Sequence, residues 1–228
     1  MKDIYLKIDE MLRTSYGKTK LASYKKSNES AASLFSRGGN DDIAFAAGCT
    51  ACSAIITPTE IIVGNAGDSR AVLAKKTKDP AKFKAVQMSE DHKPDLPDEK
   101  KRIQAAGGFV EDNRVKGVLN LSRSLGDLEY KSDPNIRPNE QMITCIPETR
   151  KEKVAEASFL ILACDGIWDC LTSQEAVDFV GNILQSKKSE NVSNAIENMF
   201  DTIIASDVAS SGGIGCDNMT CIVVKFDN

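Results

Sequence analysis

An almost wholly apolar run, SFLILAC at residues 158–164, constrains the fold of this chain more than any other segment. A run of this length and composition is typical of a strand at the centre of a sheet, where both faces are covered. It ends at an acidic turn, CDGIWD, which begins at Cys164. The sequence therefore predicts a buried strand with carboxylates at one of its ends.

From Cys49 onward, short β-rich runs alternate with turn residues. The runs are CTACSAIIT, EIIVGNA, RAVLAKK and KFKAVQM. Apolar and β-branched runs separated in this way predict a meander of antiparallel strands. A last strand, MTCIVVKF, follows the glycine-rich loop SSGGIGCDN near the C-terminus.

Two helices are predicted near the N-terminus. Residues 2–13 have apolar side chains at helical spacing, which predicts an amphipathic helix whose apolar face is formed by Ile4, Ile8, Met11 and Leu12. Residues 18–36 have a weaker helical pattern, which Gly38 and Gly39 end.

Three more helices are predicted further along the chain. Pro97 suits the first turn of a short helix, and Gly107 with Gly108 suits its C-terminal cap. After the acidic turn, Thr172 and Glu175 have the spacing of a capping box. The helix that they begin carries the apolar residues Ala176, Val177, Val180, Ile183 and Leu184, and the helix after it carries Val192, Ile196, Met199 and Ile203.

Size and charge limit the class of protein. The 228 residues, 41% of them hydrophobic, suffice for a single globular core, and we expect one domain over residues 1–228. The formal net charge of -4 argues against a nucleic-acid partner, whose binding face requires clustered Lys and Arg. No apolar run approaches the roughly 20 residues that cross a bilayer. We therefore expect no membrane partner and a cytoplasmic or nuclear location.

Seven cysteines at irregular spacing predict reduced thiols rather than a disulfide framework. Cys49 and Cys52 form a Cys-x-x-Cys pattern, which also occurs in redox and zinc sites. On a strand, however, residues three apart point to opposite faces, and no second cysteine pair or histidine cluster completes a zinc site. We therefore interpret both residues as buried structural thiols.

Four aspartates stand next to apolar runs: Asp68 after IIVGNAG, Asp165 and Asp169 after FLILAC, and Asp217 before MTCIVVKF. Because strand ends hold side chains in fixed directions, these carboxylates can converge. Magnesium and manganese prefer oxygen ligands and usually need one or two carboxylates each. Two such ions can activate a bridging water for phosphoryl displacement. The alternative is that each aspartate is a turn or cap residue, since GDS, CDG and CDN are good turn sequences.

Five segments carry a resemblance to one enzyme family. In chain order they are GNAGDSRAVL, EDHKPDLPDEKKRIQAAGGFV, LNLSRSLGDLEYK, LILACDGIWD and GCDNMTCIVV. In this order and spacing they resemble successive motifs of the type-2C metal-dependent serine/threonine protein phosphatases. The resemblance extends from the first predicted helix to the last predicted strand.

The resemblance implies an α+β fold, in which two antiparallel β-sheets pack as a sandwich flanked by helices in α-β-β-α layers. It implies that Asp165 and Asp217 are ligands of a binuclear magnesium or manganese centre, and that Asp68 and Asp169 are ligands of a weaker third ion. Arg123 of SRSLGD is similar to a residue near the flap that borders the substrate groove, which implies a substrate-binding role.

Two motifs of the family are absent from the 228 residues: an Arg-containing segment with a metal-ligating Glu, and an Asp-Gly-His-Gly-Gly motif. In the family both precede the helix with which this chain begins. We therefore expect an N-terminally truncated catalytic domain that lacks the N-terminal strands, the phosphate-binding Arg, the bridging Asp and the general-acid His. His92, the only histidine, belongs to EDHKP and is interpreted as structural, so no catalytic residue is assigned.

The predicted function is hydrolysis of phosphoserine and phosphothreonine in phosphorylated protein substrates by metal-activated water, with little or no activity from this chain alone. The alternative is a catalytically incomplete relative that acts as a binding or regulatory module. An upstream segment with the two absent motifs would support the enzyme. Other metal-dependent phosphohydrolases are disfavoured, because their sites use several histidines and this chain has one.

Overall fold

The structure, a computed structural model, describes residues 1–24, 42–186 and 191–227. The chain forms two compact units, each of which is discontinuous in sequence. The first unit comprises Met1–Ala51 and His92–Pro147, and the second comprises Cys52–Asp91 and Glu148–Asn228. The single domain over residues 1–228 stays a prediction.

The elements of the described residues are numbered in chain order. The strands are β1 (Gly48–Cys49), β2 (Ala51–Ile56), β3 (Glu60–Ala66), β4 (Arg70–Lys76), β5 (Phe83–Gln87), β6 (Val110–Glu111), β7 (Arg114–Val115), β8 (Leu125–Gly126), β9 (Glu148–Lys153), β10 (Ala157–Ala163) and β11 (Cys221–Lys225). The α-helices are α1 (Lys2–Arg13), α2 (Ser15–Tyr24), α3 (Ile43–Ala46), α4 (Pro97–Ala105), α5 (Asp165–Trp168), α6 (Ser173–Gln185) and α7 (Val192–Ile203).

Two sheets organise the second unit. One has four strands in the order β11-β10-β4-β5, and the other has three in the order β2-β3-β9. Every residue of β10 is buried, and this strand pairs antiparallel with both β4 and β11. The apolar run therefore forms a central strand, as predicted.

The predicted meander is wrong in one respect, because the chain changes sheets between β3 and β4. The change occurs over three residues, at Gly67, Asp68 and Ser69. Gly67 has φ of 117°, a conformation that side chains with a Cβ rarely adopt. The turn residues of GDS were correctly recognised, but a turn between two strands does not show whether the strands pair with each other.

The four-stranded sheet is covered on both faces. On one face, residues of β4 and β10 share a core with the three-stranded sheet, centred on Ile61, Val63, Leu73, Leu160 and Leu162. On the other face, α6 and α7 pack on a core that includes Val72, Phe159, Ile161, Val177 and Met199. The second unit therefore has the two antiparallel sheets and the flanking helices of the expected α+β class, which is confirmed.

The capping box that begins α6 is confirmed. The Thr172 side chain accepts a hydrogen bond from the Glu175 backbone N–H, and the Glu175 carboxylate accepts one from the Thr172 backbone N–H. The predicted apolar residues Ala176, Val177 and Val180 of this helix are buried.

The first unit contains α1 to α4, the two-stranded pairs β1–β8 and β6–β7, and a small core of Ile103, Val115, Met142 and Ile143. Helix α1 has the predicted bounds, but its predicted apolar face is wrong for two of its four residues, while Ile8 and Leu12 are partly buried. Ile4 and Met11 are 54% and 44% exposed, while Tyr5 and Asp9 are buried. Asp9 is buried because its carboxylate pairs with the Lys131 ammonium at 2.7 Å.

Of the other predicted helices, α4 begins at Pro97 as expected, and Gly107 follows it with a φ of 78°. Helix α2 begins at Ser15 rather than at residue 18. The remainder of the predicted helix over 18–36, from residue 25, lies outside the described residues. Among the helices that the structure describes, none combines the length and hydropathy that crossing a membrane requires.

Candidate functional site

Three strand ends meet at one edge of the four-stranded sheet. Ala163, the last residue of β10, is opposite Arg70, the first residue of β4, and opposite Cys221, the first residue of β11. Asp165 follows the end of β10, and Asp68 and Asp217 precede the starts of β4 and β11. The antiparallel register therefore brings the backbone of these three predicted ligands to the same edge.

Asp165 and Asp217 lie on segments that are in direct contact. A Cβ built on Gly166 would be 3.6 Å from the Asp217 Cβ and 2.4 Å from the Asn218 carbonyl oxygen. The Cys164 backbone N–H also donates to the Thr220 carbonyl at 3.1 Å. Only a glycine permits such a close approach next to Asp165. These contacts support the prediction that the two carboxylates lie within reach of one ion.

Asp68 lies on the turn between the two sheets, and its side chain is only 3% exposed. The turn is held by Asn65, whose Nδ2 donates to the carbonyls of Gly67 at 2.9 Å and Glu90 at 3.1 Å. Asn65 is fully buried, and its Oδ1 has no hydrogen-bond partner among the described residues. A buried unpaired oxygen costs stability. The two bonds from Nδ2 therefore hold the turn at some cost to the fold.

Asp169 follows Trp168 at the end of α5 and is exposed. A charged group on which Asp169 acts is Arg70, which pairs with Asp91 through two bonds of 2.9 and 2.7 Å. The hydrogen bond with Asp91 raises the pKa of Arg70 against the opposing effect of burial, and the charge of Asp169 adds to the rise. Asp169 is thus within electrostatic reach of a guanidinium that another carboxylate already neutralises.

The donor set fits a hard, hydrated divalent cation. All four predicted ligands are carboxylates, and Asp169 and Asp217 are exposed while Asp165 is partly exposed, so an ion that keeps several waters can reach them. Within the described ranges, however, no group of three or more histidine, cysteine, aspartate or glutamate side chains is arranged to hold a metal ion. That Asp165 and Asp217 reach one ion stays a prediction, as does the approach of Asp68 and Asp169 to Asp165.

Arg123, the predicted substrate-binding residue, belongs to the first unit. Its Nη2 is 2.6 Å from Glu99 Oε1, and its Nη1 donates to the Ile146 carbonyl at 3.0 Å. Glu99 also accepts from Arg102 at 2.8 Å and from the Ser122 hydroxyl at 2.5 Å. The guanidinium of Arg123 is therefore already engaged by a buried carboxylate, and its contact with substrate stays a prediction.

Burial raises the pKa of Glu99, but this effect is outweighed. The hydrogen bond from Arg123, the charges of Arg102 and Arg123, and the hydrogen bond from Ser122 together lower the pKa to about 2. The carboxylate is therefore ionised at neutral pH, as its two cationic partners require.

The histidine and the cysteines were predicted to have structural roles. His92 is buried, and its carbonyl accepts from the Ser122 backbone N–H at 3.0 Å, which agrees with a structural role. All seven cysteines are free thiols. Burial raises the pKa of Cys52 to about 12, with a smaller contribution from Asp91. Cys49 was predicted to be buried but is exposed, as is Gly48, the other residue of the short strand β1.

Sequence reasoning missed the roles of Asn65, Arg70 and Asp91. The residues lie in the recognised segments GNAGDSR and EDHKP, which was the available signal. Their partners are separated from them by up to 103 residues, as for Arg70 and Ser173, so no local spacing could identify the contacts.

Comparisons with known proteins identify the family of this chain. A sequence model described as "Protein phosphatase 2C" matches residues 7–212. "Probable protein phosphatase 2C 3" of Paramecium tetraurelia is 44% identical over 227 residues, which cover 98% of this chain and 69% of that protein. "Protein phosphatase 2C 1" of the same organism is 42% identical over 227 residues, with the same two shares.

Solved structures are similar as well. A crystal structure of "serine-threonine phosphatase 2C from Toxoplasma gondii" has a TM-score of 0.60 and 25% identity, and covers 78% of this chain. A second phosphatase structure from Toxoplasma gondii has a TM-score of 0.60 and 31% identity, and covers 73% of this chain. The alignments span 58% and 48% of those two chains. By sequence and by fold, this chain belongs to the protein phosphatase 2C family.

Proposed function

We propose that the chain contributes to a phosphatase that hydrolyses phosphoserine and phosphothreonine in phosphorylated proteins, with magnesium or manganese as its cofactor. The observation that carries the proposal is the meeting of Asp165, Asp217 and Asp68 at one edge of the four-stranded sheet. Family membership supports the reaction class. The oxygen-only donor set supports the choice of metal.

The four carboxylates would act as two pairs. Asp165 and Asp217 would hold the ion, and the contact between the segments that carry them supports this assignment. Asp68 and Asp169 would contribute to a weaker site. A bound magnesium or manganese ion supplies Lewis acidity, which lowers the pKa of its water.

The arginines limit what this chain does alone. Phosphate recognition favours a free guanidinium that offers two parallel N–H donors. Arg70 is engaged by Asp91, and Arg123 is engaged by Glu99. Neither is available as a phosphate clamp without breaking its ion pair. We therefore expect little or no phosphatase activity from residues 1–228.

The experiment measures phosphate release from a phosphothreonine peptide with manganese present. Residues 1–228 are compared with the Paramecium tetraurelia relative "Protein phosphatase 2C 1" under identical conditions. We expect turnover to be at least about a hundredfold lower for residues 1–228, the usual cost of poorly positioned reactants. Asp217→Asn should abolish any residual release. Comparable turnover by the two proteins would contradict this account of the arginines.

A second candidate function is a phosphatase-like module that binds phosphorylated proteins without turnover. It is favoured by one observation, that the described residues lack a three-ligand metal group. Fluorescence anisotropy of the labelled phosphothreonine peptide distinguishes the two functions. Peptide binding that persists after chelation of divalent ions, with no phosphate release, supports the module.

A further inference from the structure

Arg70 is the centre of a set of contacts that converge on the acidic turn. Its Nε and Nη2 form the two bonds with Asp91, and its Nη1 donates to the Ser173 hydroxyl at 3.2 Å. Its guanidinium also stacks over the Trp168 ring, 5.1 Å from the ring centre. The Arg70 side chain therefore contacts three segments: the loop after β5 at Asp91, the start of α6 and the end of α5.

The short helix α5 depends on such contacts. It has only four residues, Asp165–Trp168, and helices of one turn are not stable by themselves. Trp168 is 7% exposed, and its Nε1 donates to the Ala163 carbonyl at 2.9 Å. This bond fixes one edge of the indole to the end of β10, and Arg70 covers a face of the ring. The ring in turn fixes the backbone between Asp165 and Asp169.

We propose that Arg70 is a positioning residue for the acidic turn, and that it orients Asp165 and Asp169 through its stack on Trp168 and its two-bond pair with Asp91. The geometric part of this proposal concerns the protein without any ion. The expected effect on cation binding rests on the proposed function.

Orientation, rather than charge, is what Arg70 contributes. A positive charge near Asp169 would by itself oppose cation binding, but the Asp91 carboxylate neutralises it at 2.7 Å. Lysine has the same charge, yet its ammonium cannot form a planar two-bond pair and a stack on an indole at once. Arg70→Lys therefore removes the orientation and keeps the charge.

Trp168 provides the measurement, since it is the only tryptophan in the chain. In protein freed of divalent ions by chelation, acrylamide quenching and the emission maximum report how well the ring is packed. We expect Arg70→Lys to increase quenching and shift emission to the red. Asp91→Asn, which weakens the two-bond pair from the other side, should change both signals in the same direction.

Arg150→Lys is the matched control. Arg150 donates to Glu90 at 2.6 Å and to the Gln87 carbonyl at 3.3 Å, so it holds the segment that carries Asp91. Among the described residues, Arg150 reaches the acidic turn only through this segment, and we expect wild-type quenching from the control variant. A change as large as that of Arg70→Lys would mean that general loosening moves Trp168, which overturns the proposal.

Cation binding is the second measurement, made by titration calorimetry with manganese. We expect Arg70→Lys to weaken manganese affinity about 10- to 100-fold, the range for residues that orient metal ligands without touching the metal. Affinity equal to that of a manganese-binding wild type would overturn the proposal. Wild-type protein that binds no manganese would contradict the proposed function, and the quenching measurement would then decide the role of Arg70.

Far-ultraviolet circular dichroism shows whether each variant is folded. If Arg70→Lys fails to fold, Asp91→Asn decides the question in its place. Wild-type quenching and emission in a folded Arg70→Lys or Asp91→Asn variant would show that the acidic turn does not depend on Arg70.

Discussion

Glu99 shows at the residue scale how a buried charge depends on its partners. It is 4% exposed and is ion-paired with both Arg102 and Arg123. Because its folded-state pKa of about 2 lies below the unfolded value, the pair stabilises the fold above about pH 5. This stability is lost as the pH falls toward 2 and the carboxylate takes up a proton.

We predict that Glu99→Gln lowers stability at pH 7, because two guanidinium groups lose their counter-charge inside the first unit. The loss is on the order of 3 kcal/mol, as for other buried pairs with one partner removed. Between pH 5 and about 2.5, the variant should lose less stability than the wild type, since it has no carboxylate to protonate there. Urea unfolding at several pH values tests this.

Glu140→Gln is the control for this pH series. Glu140 pairs with Arg137 at the surface, where solvent screens the interaction. The hydrogen bond from Arg137 lowers the pKa of Glu140, but screening keeps the contribution to stability small, so the pH profile of the variant should stay close to that of the wild type. Parallel profiles for Glu99→Gln and wild type would show that Glu99 does not titrate as described.

At the scale of a single element, the N-cap of α6 should contribute measurably to stability. We predict that Thr172→Ala destabilises the protein by about 1 kcal/mol, because the Glu175 backbone N–H loses its acceptor at the start of the helix. Thr202→Ala is the control: its hydroxyl bonds back to the Asn198 carbonyl within α7 and caps no N-terminus. Thermal unfolding with equal midpoints for the two variants would contradict a specific role for the cap.

The elements that the sequence predicted well are those with short-range causes. The capping box at Thr172 and the proline at the start of α4 are interactions within one helical turn. The burial of Asp9 on α1 was not predicted because it depends on Lys131, a partner 122 residues away. The sheet change at Gly67 was missed for a similar reason, since β3 and β4 each pair on one side with a strand that is distant in sequence, β9 and β10 respectively.

At the scale of the whole molecule, the candidate site was predicted in part. The resemblance identified four aspartates, and the antiparallel register shows why strand ends as far apart in sequence as Asp68 and Asp217 share an edge. The supporting contacts could not be predicted, because Arg70 finds Asp91 and Ser173 only after the sheet and α6 have formed. Local sequence motifs are enough to identify the four aspartates. The orientation of their side chains depends on contacts that form only in the folded unit.

A cation bound at the strand ends should raise the stability of the entire chain. Carboxylates that share an edge repel one another, so an ion that binds only the folded protein should stabilise it. At an ion concentration ten times the dissociation constant, the gain is about 1.4 kcal/mol, or about 3–6 °C in melting temperature for a chain of this size. Asp165→Asn and Asp217→Asn should remove the shift and melt no lower than the wild type without ions, since each relieves repulsion without loss of packing.

Asp227→Asn is the control for this titration, because Asp227 is an exposed carboxylate that follows Lys225, at the opposite end of β11 from Cys221. It should retain the full magnesium- or manganese-dependent shift. A wild-type melting temperature that stays flat across the titration would contradict cation binding at this edge. An equal shift in Asp217→Asn would place the ion elsewhere, because removing one of two carboxylate ligands from a hydrated site leaves too little charge to hold it.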